Sequence, residues 1–210
     1  MSLPNTHRND LRYDLRLISS LISSSSRVLG LGCGEGELLH SLKTQKDALC
    51  TGIEMDADLV SKGVAKGLNI VQGDLNEEME DYGDKTFDYV VLSQTLQQIF
   101  DPARVIRSML RIGHKGIVSF PNFSHFENRC QLFFKGKAPV SSQLPYQWHN
   151  TPNIRVITIR DFREYAREVG FTILEEIAIN TDNNDKSGRR IRFLSNLRAT
   201  YGIFLIGEPA

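Results

Sequence analysis

Four glycines alternate with other residues at the end of one apolar run. The stretch reads Val28-Leu29-Gly30-Leu31-Gly32-Cys33-Gly34-Glu35-Gly36, and a helix is predicted to begin at its end. Glycine allows positive φ angles and lets the main chain approach a bound molecule closely. The spacing excludes the G-x-G-x-x-G of dinucleotide-binding proteins and the G-x-x-x-x-G-K-S/T of phosphate-binding loops. What remains is G-x-G-x-G ahead of a helix N-terminus, which either faces a carboxylate or is an ordinary glycine-rich turn.

Two carboxylates follow the next two predicted strands. Glu54 ends a strand about twenty residues after the glycine turn, where an acidic side chain can accept hydrogen bonds from both hydroxyls of a ribose. Asp74 follows a third, short strand, where its carboxylate can accept a bond from an adenine amino group. The alternatives are a solvated loop carboxylate for Glu54 and a turn aspartate for Asp74. The spacing favours a nucleoside at these strand ends.

Strand and helix patterns alternate along the chain and must position these groups. Strands are predicted over residues 27–31, 49–54, 69–72, 87–93, 115–120, 171–179 and 199–206. Helices are predicted over residues 11–22, 36–43, 56–66, 102–112, 124–134 and 158–170, with a polar connection over 180–192. The short connections between alternating elements predict a doubly wound α/β fold, with a mostly parallel seven-stranded sheet and helices on both faces.

The composition is that of an ordinary globular domain. The chain has 210 residues, of which 40% are hydrophobic and 24% charged, and we expect one domain over residues 1–210. With 25 basic and 25 acidic residues the net charge is zero, which disfavours nucleic acid and anionic membranes as partners. No signal peptide or membrane-spanning run is indicated. Three cysteines, without a C-x-x-C pair, favour a reducing compartment, and we expect a cytoplasmic protein.

The histidines offer little for metal chemistry. They are His7, His40, His114, His125 and His149, and no H-x-x-x-H spacing occurs, so no metal site is predicted. His125 and His149 are candidate general bases above the carboxyl edge of the sheet, although single histidines in polar loops are more commonly solvated. The G-x-S-x-G motif of hydrolase nucleophiles is absent, which disfavours an acyl-transfer nucleophile in this chain.

An irregular segment around residues 122–157 interrupts the alternation. It is rich in Pro and Gly between residues 135 and 153, and long segments without periodic pattern are commonly functional. Aromatic residues gather in and beside it: Phe120, Phe123, Phe126, Phe133, Phe134, Tyr146 and Trp148. With Arg129, Lys135 and Lys137 they predict either an interface with a protein partner or a lid over a cofactor cleft, and the two interpretations are compatible.

Several motifs, taken in order, resemble those of class I S-adenosylmethionine-dependent methyltransferases. They are the glycine turn, Gly52-Ile53-Glu54, Gly73-Asp74-Leu75 and Phe87-Asp88-Tyr89-Val90. Further runs resemble the MetW family of methionine biosynthesis proteins more specifically. These are Leu92-Ser93-Gln94-Thr95-Leu96-Gln97, residues 116–123, Leu144-Pro145-Tyr146, Thr151-Pro152-Asn153-Ile154 and Asp161-Phe162. The resemblance extends from about residue 11 to residue 206.

This resemblance implies a Rossmann-like methyltransferase fold that binds S-adenosylmethionine or S-adenosylhomocysteine. By position, the candidate cofactor-binding residues are Gly32, Cys33, Gly34, Gly36, Glu54, Met55, Asp74, Leu75, Ser93 and Gln94. The family further implies an accessory protein that associates with homoserine O-acyltransferase and supports its activity. The alternative is an active methyltransferase that modifies an unidentified small molecule. Residues 93–96 lack the Asn/Asp-Pro-Pro-aromatic motif of amino-group methylation, which disfavours amide and base substrates.

Gly30 departs from the methyltransferase pattern. It occupies the strand-end position that usually holds Asp or Glu, and in related folds that carboxylate faces the ammonium group of the cofactor. Loss of a charged hydrogen bond costs ~1.5–3 kcal/mol, or roughly ten- to a hundredfold in affinity. We therefore expect weakened cofactor binding.

Overall fold

Strands and helices alternate through the first half of the chain. The computed structural model describes residues 11–182 and 185–209, so the predictions for residues 1–10, including His7, for residues 183–184 and for residue 210 lie outside it. The strands are β1 (Arg27–Leu31), β2 (Leu49–Glu54), β3 (Asn69–Gln72), β4 (Phe87–Ser93), β5 (Gly113–Pro121), β6 (Thr172–Asn180), β7 (Arg189–Arg190) and β8 (Tyr201–Gly207). The α-helices are α1 (Tyr13–Leu21), α2 (Glu37–Lys46), α3 (Ala57–Ala65), α4 (Leu75–Glu78), α5 (Pro102–Ile112), α6 (Phe126–Lys135), α7 (Ile159–Val169) and α8 (Ser195–Arg198).

All these strands form one sheet in the order β3-β2-β1-β4-β5-β8-β6-β7. The five strands from β3 to β5 are parallel, and β8, β6 and β7 pair antiparallel. The direction of winding reverses between β1 and β4, which are neighbours in the sheet. In open α/β sheets this switch point leaves a crevice beyond the carboxyl ends of the strands, and ligands bind there. The predicted doubly wound, mostly parallel fold is confirmed.

The eighth strand is a short addition to the seven that were predicted. Arg189 and Arg190 pair with Asn180 and Ile179 at the edge of β6. They lie inside the polar connection, and two consecutive arginines carry no alternating apolar pattern from which a strand could be recognised.

Apolar side chains cover both faces of the sheet. Leu29 and Leu31 of β1 join the core beneath α5 and α7, whereas Val28 joins the core beneath α1 and α2. Successive strand residues point to opposite faces, so a single buried strand serves both cores. This explains why β1 and β4 read as nearly continuous apolar runs.

Local capping explains where two helices begin. Asp101 accepts a hydrogen bond from the Arg104 N–H across 3.1 Å, and Pro102 occupies the first turn of α5. Thr158 and Asp161 form the predicted capping box of α7, which ends at Gly170 with φ of 86°. Among the described helices, none combines the length and the apolar character needed to cross a membrane.

The irregular segment is tied to the rest of the fold by specific bonds. Residues 136–158 contain neither helix nor strand, as predicted for residues 135–153. The Gln131 side chain bonds both the carbonyl and the N–H of Val140, at 2.9 and 3.1 Å. The N–H groups of Ile154 and Arg155 donate to the Gln97 carbonyl, both at 3.0 Å. These bonds fix the path of a segment that lacks a regular hydrogen-bond ladder.

Candidate functional site

The glycine turn follows β1 at the switch point. Gly32, Gly34 and Gly36 have φ angles of 58°, 57° and 76°, a region that other residues rarely adopt. A Cβ on Gly36 would also lie 2.2 Å from a Leu68 methyl carbon, whereas a Cβ on Gly34 would meet no atom within 4 Å. Backbone conformation and close packing both select glycine here, and Gly34 faces open space.

Glu54 at the end of β2 holds this turn. Its Oε2 accepts a hydrogen bond from the Gly34 N–H across 2.7 Å. Its Oε1 accepts from the N–H groups of Met55 and Asp56, at 2.8 and 3.1 Å. A carboxylate has about four acceptor positions. Three main-chain donors therefore already engage the side chain that was predicted to bind ribose, and one acceptor position remains.

Asp74 lies beside Glu54 at the carboxyl edge of the sheet. The Gly73 N–H donates to the Glu54 carbonyl across 3.0 Å, which places the start of α4 next to the end of β2. Asp74 Oδ1 accepts from the N–H and the side-chain amide of Asn76, at 2.7 and 2.8 Å. Because both bonds use one oxygen, Oδ2 remains as an acceptor for a ligand donor. Asp74 is thus the helix-capping residue of α4 and still has the capacity that the adenine assignment requires.

A pocket of about 340 Å³ opens at the switch point between β1 and β4. Its volume lies within the range of small-molecule sites, ~300–1,000 Å³. Of the candidate cofactor residues, those that line it are Gly32, Cys33, Gly34, Ser93 and Gln94. Those that do not line it are Gly36, Glu54, Met55, Asp74 and Leu75. Glu54 nevertheless reaches the pocket wall through its bond to Gly34.

Two candidate residues outside the pocket differ in burial. Met55, directly after β2, is 65% exposed. Leu75 is half-buried against the core under α5 and α7. Leu75 therefore anchors the loop after β3.

Cys33 lies inside the glycine turn with a partly buried thiol. Burial, followed by the nearby negative charge of Glu54, raises the pKa of Cys33 to about 12. The thiol therefore stays protonated near neutral pH, and it is unsuited to act as a nucleophile or a thiolate ligand. A Cβ on Gly30 would lie 3.2 Å from the Cys33 Cβ, and one on Gly52 would lie 2.5 Å from its Sγ. Cys33 thus packs against the two strand glycines.

Gln94 forms the opposite wall, at the end of β4. Its φ of 53° places a non-glycine residue in the left-handed region. Such residues cost of order 1–3 kcal/mol and cluster at functional sites. The Gln94 N–H donates to the Ser119 carbonyl across 2.9 Å, and the hydroxyls of Ser93 and Ser119 are 3.1 Å apart. The end of β5 therefore holds Gln94 in this conformation.

Two residues at the start of α1, Arg12 and Asp14, belong to the site although the sequence motifs do not include them. Arg12, directly before α1, lines the pocket and pairs with Asp14 across 2.9 Å. Asp14 Oδ2 also accepts from Gln94 Nε2 across 2.7 Å. One sequence signal existed, because Asp14 lies at helical spacing from Leu11 and Ile18 on the apolar face of α1. A carboxylate on a buried face requires partners, and here they are pocket residues.

The two candidate general bases lie elsewhere. His149 is exposed, and neither it nor His125 lines the pocket. The expectation of a solvated side chain is wrong for His125, which is only 3% exposed and whose two ring nitrogens have no hydrogen-bond partner. Burial lowers the pKa of His125 below its ordinary value, so the ring is neutral near neutral pH. Across residues 11–182 and 185–209, no group of three His, Cys, Asp or Glu side chains is arranged to hold a metal ion.

The irregular segment presents an apolar surface instead of covering the pocket. No residue of 122–157 lines the pocket, which favours the interface interpretation over the lid. On α6 the stripe formed by Phe126, Cys130, Phe133 and Phe134, here named the α6 face, is exposed along its whole length. Phe133 and Phe134 are 83% and 78% exposed. The buried residue of this helix is the polar Asn128, so α6 turns its apolar side outward.

Residues at the carboxyl edge of the sheet, inside the pocket and beside it, fit an adenosine-type cofactor. The open space at Gly34 admits a ligand close to the main chain, and Asp74 Oδ2 can accept from an amino group. The pocket lies at the carboxyl edge of the parallel strands, at the switch point. Gly30 of β1 contributes no side chain to this pocket.

Comparison with known proteins identifies related sequences. The model of the family described as "Methionine biosynthesis protein MetW" matches residues 12–206. The bifunctional methionine biosynthesis protein MetXA/MetW of Rhodopirellula baltica is 31% identical over 185 residues. The match covers 84% of this chain and 30% of that protein, so this chain spans less than a third of its relative's length.

Solved structures share the architecture at low sequence identity. A SAM-dependent methyltransferase from Thermotoga maritima, described as a possible histamine N-methyltransferase, superposes with a TM-score of 0.67 at 17% identity, over 96% of this chain and 90% of that one. A SAM-dependent methyltransferase from Archaeoglobus fulgidus gives 0.65 at 14% identity, over 92% and 90%. These likenesses confirm the Rossmann-like methyltransferase fold.

Proposed function

Because this chain belongs to the MetW family of methionine biosynthesis proteins, we propose that it is an accessory subunit of homoserine O-acyltransferase. In this proposal the α6 face binds the acyltransferase and supports its activity. The pocket at the switch point binds S-adenosylmethionine or S-adenosylhomocysteine.

The observation that carries the proposal is the outward apolar side of α6. Aromatic side chains that are more than three-quarters exposed, such as Phe133, Phe134 and Trp148, are unfavourable in water and are typical anchors of protein interfaces. The bonds of Gln131 to Val140 hold the segment in place before any partner arrives. Little ordering entropy would then be lost on association.

The relative from Rhodopirellula baltica supports the choice of partner. Its name joins MetXA and MetW in one polypeptide. A covalent link between two proteins raises their effective concentration to the millimolar range, which is useful when the two parts work together. We therefore assign the acyltransferase as the partner of the separate chain.

The cofactor assignment uses this chain's own contacts. In the proposed complex the Gly34 region approaches the cofactor, and Asp74 Oδ2 accepts from the adenine amino group. The remaining acceptor position of Glu54 is available to a ribose hydroxyl. A bound S-adenosylmethionine would supply a methyl group on a sulfonium centre.

One observation favours a second candidate function, methyl transfer to a small molecule. Gln94 holds a strained backbone conformation at the pocket, and such strain is found at catalytic sites. The two functions differ in a simple assay. A methyltransferase would transfer the labelled methyl group of S-adenosylmethionine to a metabolite without any other protein. A chain that is only an accessory subunit would transfer none.

A rate measurement tests the proposed function. Purified homoserine O-acyltransferase is assayed with increasing amounts of this chain, with and without S-adenosylhomocysteine. We expect the acyl-transfer rate to rise and to saturate at a fixed ratio of the two proteins. A rate that stays constant at every ratio would overturn the accessory role.

A further inference from the structure

Two polar side chains, one cationic and one neutral, line the pocket that Gly30 also lines. Arg12 and Gln94 line the pocket together with Gly30 itself. Both side chains bind the same buried carboxylate, that of Asp14 on α1. Arg12, Asp14 and Gln94 therefore form a network beside the pocket. The β1 residues that line this pocket, Gly30 and Leu31, carry no acidic side chain.

The geometry fixes which atoms remain available. Asp14 accepts from Arg12 Nε and Nη2 at 3.2 and 2.9 Å, and from Gln94 Nε2 at 2.7 Å. The Asp14 side chain is only 5% exposed and does not line the pocket. The donors on Arg12 Nη1 and the side-chain oxygen Oε1 of Gln94 are not used by these bonds. A cationic donor and a neutral acceptor are thus left on two side chains that share one partner, Asp14.

Two features indicate that this network does not serve to stabilise the fold alone. An ion pair taken out of water is often no more stabilising than an apolar pair of similar size. The hydroxyl of the 2% exposed Tyr201 has no hydrogen-bond partner, and burial followed by the charge of Asp14 raises the pKa of that hydroxyl. The desolvation of the ion pair, the unpaired Tyr201 hydroxyl and the strained backbone of Gln94 are all destabilising. All three involve residues that interact with Asp14.

We propose that Arg12 and Gln94 form the subsite for the zwitterionic amino-acid end of the ligand. The Arg12 guanidinium binds the ligand carboxylate, and the Gln94 side-chain oxygen accepts a hydrogen bond from the ligand ammonium group. Asp14 is a positioning residue that fixes both side chains. The subsite rests on the proposed cofactor, and Arg12 and Gln94 supply contacts to the amino-acid end that Gly30, without a side chain, does not.

Two ligands separate this subsite from the rest of the pocket. S-adenosylhomocysteine carries the amino-acid end, whereas 5′-methylthioadenosine has the same nucleoside and thioether without it. Affinities for both are measured by calorimetry on the wild-type chain, Arg12→Gln and Gln94→Ala. Arg16→Gln is the matched control, because Arg16 lies four residues after Arg12, within α1, and does not line the pocket.

We expect Arg12→Gln and Gln94→Ala to lower the affinity for S-adenosylhomocysteine by about tenfold or more. The affinity for 5′-methylthioadenosine should stay within about twofold of the wild-type value. Arg12→Lys, which keeps the charge, should retain part of the affinity. Asp14→Asn should show the same ligand selectivity, which a purely structural role would not produce. Equal weakening of both ligands, or no effect of Arg12→Gln, overturns the subsite while the cofactor proposal stands. If the wild-type chain binds neither ligand, the cofactor proposal fails and the subsite fails with it.

Discussion

The main-chain N–H of Gly34 donates a hydrogen bond to Glu54 Oε2 across 2.7 Å, which joins the turn after β1 to the end of β2. Glu54 therefore acts before any ligand arrives, because it holds a turn of left-handed glycines in place. A ligand at this edge meets a preorganised wall, and less ordering entropy is lost on binding.

Replacement of Glu54 by Gln should affect stability as well as binding. The amide loses the charge and offers an N–H₂ group to one of three main-chain donors. We expect the free energy of unfolding without ligand to fall by about 1–3 kcal/mol, or roughly 2–12 °C in Tm. The exposed carboxylate Glu77 on α4 is the control, and Glu77→Gln should leave Tm unchanged. Equal Tm values for Glu54→Gln and the wild-type chain would contradict the role of Glu54 in the turn.

Gly34→Ala should separate backbone strain from ligand contact. A Cβ has open space at Gly34 and at Gly67, and both glycines have positive φ, 57° and 76°. Each alanine should therefore cost about 1–2 kcal/mol of stability. Affinity for S-adenosylhomocysteine should fall only in Gly34→Ala, because Gly34 alone of the two lines the pocket. Equal affinities in the two variants would remove Gly34 from the ligand site.

Gly30→Asp should tighten cofactor binding by restoring the strand-end carboxylate. The φ angle of Gly30 is not in the left-handed region, and a Cβ there would lie 3.2 Å from Cys33 Cβ and Leu39 Cδ2. We expect a stability loss of about 1 kcal/mol from crowding, shared by Gly30→Ala. Only the aspartate should improve S-adenosylhomocysteine affinity, by about tenfold. Calorimetry that shows weaker or unchanged binding would mean that the ammonium group does not lie near residue 30.

The sequence predicts the elements well where the signals are local. Asp101-Pro102 and the Thr158 and Asp161 pair define helix starts within a few residues, and an apolar run defines β4. The link between Asp14 and Gln94 spans 80 residues and depends on how α1 packs beside the end of β4. The periodicity of the sequence identifies the buried face of α1 but not the residues that this face contacts. For the same reason the aromatic residues of α6 were recognisable as a group, whereas their outward direction was not.

His125 should make stability depend on pH. Its pKa is lowered in the folded state by burial, so the unfolded chain binds a proton more readily. Stability should therefore be fully present above about pH 6.5 and should fall as the pH drops below it, by at most about 1.4 kcal/mol per pH unit. Urea unfolding between pH 5 and 8 measures this slope. The slope of stability against pH should decrease in His125→Gln and should persist in His149→Gln, the exposed control. An unchanged slope in His125→Gln would exclude His125 as the source of the pH dependence.

Variants of the segment should weaken partner binding without unfolding the chain. Phe133→Ala and Trp148→Ala remove side chains that are 83% and 77% exposed, so Tm should stay within about 1 °C of wild type. Leu49→Ala is the control, since Leu49 is 70% exposed at the amino-terminal end of β2, at the opposite edge of the sheet. A large drop in Tm for Phe133→Ala would indicate that the α6 face is packed within this chain.

Sedimentation of this chain with purified homoserine O-acyltransferase tests the central claim most directly. The account predicts a complex that sediments faster than either protein alone, with a micromolar or tighter Kd. That Kd should weaken by about tenfold or more in Phe133→Ala or Trp148→Ala, and it should not change in Leu49→Ala. Two independent boundaries at concentrations up to ~100 µM, or a complex whose Kd is the same in wild type, Phe133→Ala and Trp148→Ala, would contradict it.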